Sequence, residues 1–83
     1  MTRDEEVLTI LQEECAEVIQ AVSKIRRFGS GGNMLELKKE IADLQCMIDL
    51  AIEVGTIMYV PGEMDDYLKQ KRVKLSQFSS IVP

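Results

Sequence analysis

The sequence predicts an all-α protein, a long antiparallel helical hairpin followed by a short third helix. Three observations predict it. Apolar residues recur at helical spacing through three segments. A glycine-rich run separates the first two. No stretch of convincing length follows the two-residue alternation of a strand.

The first helix is expected over residues 4–28, where Val7, Leu8, Ile10, Leu11, Cys15, Val18, Ile19, Val22 and Ile25 carry the helical period. Thr2 and Glu5 have the spacing of a capping box, which satisfies free amide donors at the start. Gly29-Ser30-Gly31-Gly32 should end it, because glycine disfavours helix and permits a tight reversal. The second helix is expected over residues 34–58, with Leu37, Ile41, Leu44, Met47, Ile48, Ala51 and Met58 as its stripe. Asn33 is its expected cap and Glu36 the partner three residues on. Tyr59-Val60-Pro61-Gly62 reads as a connector. The third helix is expected over residues 63–78, with Met64, Leu68, Leu75 and Phe78 on one side. Residues 79–83 form a frayed tail, and residues 1–83 make a single domain.

Each long helix of about 24 residues spans roughly 36 Å. A hairpin of that length cannot cover its own apolar stripe, and the short third helix covers only part of it. The chain is 46% hydrophobic, a large supply for 83 residues that bury a small share of their surface. A second copy is therefore expected to complete a four-helix bundle, in a homodimer or tetramer.

The net charge of -4, from 14 acidic and 10 basic side chains, disfavours a nucleic-acid polymer as partner. Cys15 and Cys46 have no C-x-x-C spacing and imply a reduced compartment. Met1-Thr2-Arg3-Asp4-Glu5-Glu6 has no apolar signal core behind it. The apolar runs break well before the roughly 20 residues of a membrane span. The expectation is a cytoplasmic protein with no membrane partner.

Certain acids stand where leucines would pack. At about 100° per residue, Glu14 falls about 60° from the centre of the first helix's stripe, between Leu11 and Val18. Glu17 lies at the edge of the same side, and Glu13 points into solvent. On the second helix Glu40 lies about 30° from the centre, among Leu37, Ile41, Leu44 and Met47. Asp43 follows at the edge. Each helix thus carries an acid-x-x-acid pair with one member turned inward. Burying carboxylates without partners is costly, and like charges raise one another's pKa. A divalent cation resolves both problems. Hard oxygen ligands favour Mg²⁺ or Mn²⁺. With no histidine in the chain, a Glu-x-x-His di-metal bundle is excluded, and a structural zinc site is a poor fit, lacking histidine and clustered cysteine.

Basic residues accompany the acids. Lys71 sits at the centre of the third helix's stripe, and Lys74 follows at its edge. Lys24 lies two turns past Glu17 and about 20° around the axis. Lysines flanking a metal cluster suit a polyphosphate. A single such lysine has a plainer reading as a solvated side chain whose stem covers apolar surface.

The run Glu13-Glu14-Cys15-Ala16-Glu17, followed after 22 residues by Glu40-Ile41-Ala42-Asp43, resembles the signature of the MazG-like all-α NTP pyrophosphohydrolases, relatives of the dimeric dUTPases. Ser23-Lys24-Ile25-Arg26-Arg27-Phe28-Gly29 and Lys71-Arg72-Val73-Lys74-Leu75 also resemble small single-domain members from phages and bacteria. The resemblance covers about residues 5–78. It implies Mg²⁺-dependent hydrolysis of an NTP or dNTP to the monophosphate and pyrophosphate. It makes Glu14, Glu17, Glu40 and Asp43 the metal-binding and catalytic acids. Lys24, Lys71 and Lys74 are the expected substrate-binding residues. The chain departs from some relatives in having no tryptophan and few aromatics, which leaves base and sugar preference open. Two other readings stand beside this one. One is a non-catalytic helical dimerisation or regulatory module, and the other is hydrolysis of a different nucleotide polyphosphate, such as a guanosine alarmone or a dinucleotide.

Overall fold

In the computed structural model, which describes residues 1–82, the chain forms three α-helices and, among the described residues, no strand. They are α1 (Arg3–Phe28), α2 (Asn33–Glu53) and α3 (Glu63–Phe78). The protein is all-α. Among the described residues, no helix is long and apolar enough to cross a membrane.

Helix α1 starts where Thr2 Oγ1 accepts the Glu5 amide at 3.1 Å. Acids fill its first turn and Arg26 and Arg27 its last, in the sense that complements the helix dipole. It ends at Gly29, whose φ of 88° suits glycine and few other residues. The turn is closed by the Gly29 amide donating to the Ile25 carbonyl at 2.8 Å. Asn33 is not the expected cap. It is the first residue of α2, and its Nδ2 donates back to the Gly29 carbonyl at 2.9 Å. Gly32 precedes it without a side-chain cap.

Helix α2 ends at Glu53, five residues before the expected Met58. The cause is Gly55, whose φ of 80° lets the Gly55 amide donate to the Ile52 carbonyl at 3.1 Å. The Ile57 amide then donates to the Ala51 carbonyl, also at 3.1 Å, and consumes another free helix-end acceptor. The connector is tied to the start of α1. Arg3 Nη2 donates to the Val54 carbonyl at 2.6 Å, and Thr56 Oγ1 donates to Asp4 Oδ1 at 2.8 Å. Helix α3 has the expected bounds. Glu63 accepts the Val60 amide at 3.1 Å and the Tyr67 hydroxyl at 2.7 Å, which fixes its first turn. Of the expected frayed tail, residues 79–82 carry no regular element and Pro83 lies outside the described residues.

Helices α1 and α2 pack antiparallel. Val7, Ile10, Leu11, Glu14, Val18, Ala21 and Ile25 face Leu37, Glu40, Leu44, Met47, Ile48 and Ala51, all half-buried or buried. Among the described residues only Ala21, 2% exposed, and Ala51, 0%, are fully enclosed. Ile41, expected in the stripe beside Glu40, instead turns outward at 49% exposure. Helix α3 packs on neither α1 nor α2, so it covers none of the hairpin's stripe. Its own Leu68 and Phe78 are exposed, Phe78 to 86%. The molecule measures 39 × 34 × 15 Å, thin in one direction. Its radius of gyration is 15.5 Å, against the roughly 12 Å of a compact domain of this length.

Candidate functional site

The hairpin's register decides which acids meet. The loop sets Lys24 opposite Glu36, Glu14 opposite Glu40 and Asp43, and Arg3 opposite Val54. The inward positions of both helices follow the helical period, and Glu14 and Glu40 occupy such positions in place of apolar residues. Both are half-buried, while Glu17 and Asp43 are exposed at the seam's edge. Glu13 is exposed as expected.

One ligand oxygen each from Glu14, Glu40 and Asp43 lies within 4.8 Å of the others. Oxygens sharing one magnesium at 2.0–2.1 Å stand about 3 to 4 Å apart. Small side-chain rotations would bring the triad onto a single ion. Its donors are all carboxylates, the ligand type that suits a hard divalent cation. Two seam positions and one edge position leave the cluster open on the Asp43 side. The described residues of one chain enclose no pocket there.

Glu40 carries the electrostatic cost of the arrangement. Burial pushes its carboxyl above the ordinary glutamate range, and the charges of Glu17, Asp43, Glu14 and Glu36 push it further the same way. Glu17 has the largest effect of those charges, although it is outside the close triad.

Lys24 is the lysine that the fold brings to the cluster. Its Nζ donates to Glu36 Oε1 at 2.8 Å across the hairpin. That bond, together with the Glu36 charge, raises the pKa of Lys24, and the nearby charges of Glu17 and Glu40 add to the effect. Lys71 and Lys74 are exposed on α3 and are not brought to the acids of their own chain. Glu36 has a different role from the one expected. It pairs with Lys24 instead of capping α2. The sequence carries a signal for it, since Glu36 lies one turn before Glu40 on the same face. Cys15 and Cys46 are free thiols, both exposed.

No protein-family model matches the chain, and no curated protein or solved structure matches it.

The raised carboxyl of Glu40 sets a pH dependence. A group whose pKa is higher folded than unfolded adds stability below its unfolded value, and that stability is lost as pH rises through the folded value. Without metal, the melting temperature should therefore carry a component that falls as pH climbs above the ordinary glutamate value of 4.5. Glu40→Gln should remove that component and melt higher than the parent near neutrality. Thermal melts across pH by circular dichroism check this. Parallel pH profiles for the two proteins would contradict it.

Proposed function

We propose that the chain is a Mg²⁺-dependent, MazG-like nucleoside triphosphate pyrophosphohydrolase, converting an NTP or dNTP to the monophosphate and pyrophosphate. The carrying observation is the Glu14–Glu40–Asp43 triad in an otherwise apolar helix seam, with a lysine at its rim. A scaffold with no cation to bind would be better served there by leucine.

Glu14, Glu40 and Asp43 would hold Mg²⁺ or Mn²⁺. When bound, that ion would supply charge to phosphate oxygens and lower the pKa of a water. Water attacks the α-phosphorus, the α–β anhydride bond breaks, and the electron pair leaves on pyrophosphate. A carboxylate of the group Glu14, Glu17, Glu40 and Asp43 would accept the water's proton. Lys24 neutralises phosphate charge at the rim.

The proposal includes a homodimer or tetramer that completes a four-helix bundle. Its support is a hairpin with two fully buried residues, both alanines, and bare apolar side chains such as Ile19, Ile41 and Leu50. Such faces are covered by association. In that assembly Lys71 and Lys74 would serve the acids of another copy, since α3 lies against neither helix of its own chain. The same bare faces favour a second reading, a helical dimerisation or regulatory module without catalysis. That reading leaves the inward acids without a purpose.

Incubation with a panel of NTPs and dNTPs in Mg²⁺ should release pyrophosphate and no orthophosphate. Glu40→Gln should abolish turnover and leave the fold intact, while Glu13→Gln should be mild. Lys71→Met should lower kcat as well as raise KM, because the charge it meets grows on the leaving pyrophosphate. Orthophosphate as the product, or near-normal turnover by Glu40→Gln, would overturn the assignment. Sedimentation at micromolar concentration should give a mass that is a multiple of the 9.4 kDa chain. A stable monomer would overturn the assembly.

A further inference from the structure

We propose that Glu36 is a positioning residue that holds the Lys24 ammonium at the rim of the carboxylate cluster and keeps it out of the cation's place. The inference rests on the metal-site reading above. Lys24 Nζ to Glu36 Oε1, at 2.8 Å, is the only ion pair among the described residues. It joins the two helices that carry the cluster. Glu17 and Glu40 also act on the same ammonium. Three carboxylates thus act on one ammonium, and one of them, Glu40, belongs to the triad.

The geometry separates Glu36 from Glu40. Glu36 is not in the triad, which comprises Glu14, Glu40 and Asp43. It stands one turn before Glu40, toward the glycine loop and beside Lys24. A lysine ammonium is a compact charge on a flexible four-carbon stem. Without the Glu36 charge, the anions left to act on it are Glu17 and Glu40. An ammonium seated there would oppose a divalent cation directly. Held on Glu36 it stays one turn away, where it can meet phosphate oxygens. The pair is exposed, so it contributes little to fold stability and is readily exchanged for a phosphate.

The test needs no turnover. Mn²⁺ affinity is measured from the free-ion paramagnetic resonance signal for the parent, Glu36→Gln, Lys24→Met and the double variant. Glu53→Gln, about 26 Å further along α2, controls for loss of one negative charge. Glu36→Gln should weaken Mn²⁺ binding by roughly tenfold with Lys24 present and less than about twofold in the Lys24→Met background. Equal weakening in both backgrounds would make Glu36 one more negative charge and overturn the inference alone. Failure of the parent to bind Mn²⁺ would overturn the metal-site reading, and the inference with it. If Glu36→Gln loses helicity by circular dichroism, Glu36→Ala, with its higher helix propensity, takes its place in the same cycle.

Discussion

The rest of the structure depends on two carboxylates kept between apolar neighbours. Glu14 and Glu40 occupy inward positions of a helix pair whose other seam residues are mostly Val, Leu, Ile, Met and Ala. Helix pairs are stabilised by burying that seam, and a carboxylate in it opposes the process. The opposition is visible in Glu40, whose carboxyl is pushed up first by burial and then by four neighbouring acids. A single acid could turn outward to water. Two from facing helices, with Glu17 and Asp43 at the edges, converge because the helical period and the loop length place them so. On the proposed reading a divalent cation converts this repulsion into ligation.

The same economy explains why one chain looks unfinished. Helices of 26 and 21 residues meet along one seam, and that seam fully encloses two alanines. The third helix is held away by a connector fastened to the start of α1 through Arg3 and Asp4. Its lysines and its Leu68, Val73 and Phe78 side chains therefore face solvent in the isolated chain. Association would cover the apolar faces, and it would give the open cluster walls that one hairpin lacks. The fold, the assembly and the chemistry are in this way parts of one proposal.

Much of this is legible in the amino-acid sequence. Periodicity locates all three helices, because their apolar residues repeat over several turns. The same wheel turns Glu14 and Glu40 inward and Glu13 outward, as observed. The end of α2 is not legible. Gly55 sits among Val54, Thr56 and Ile57, a run whose apolar pattern continues past the turn that its positive φ creates. Asn33 has the spacing of a cap relative to Glu36, yet its side chain bonds backward to Gly29, which spacing alone does not reveal. The Lys24–Glu36 pair depends on the register between helices, which the loop conformation sets and single-helix periodicity does not contain. The position of α3 is hidden for a similar reason. A stripe says which face is apolar and not what meets it.

On this account the inward carboxylates persist because a divalent cation uses them. The most direct measurement is the melting temperature against Mg²⁺ concentration at neutral pH and fixed ionic strength. A cation that binds the folded state alone stabilises it by RT ln(1 + [Mg²⁺]/Kd), so the melting temperature should climb with Mg²⁺ in the parent. In Glu40→Gln it should stay flat. A parent curve as flat as the variant's would contradict the account, since it would leave the acids in the seam with no ion to hold.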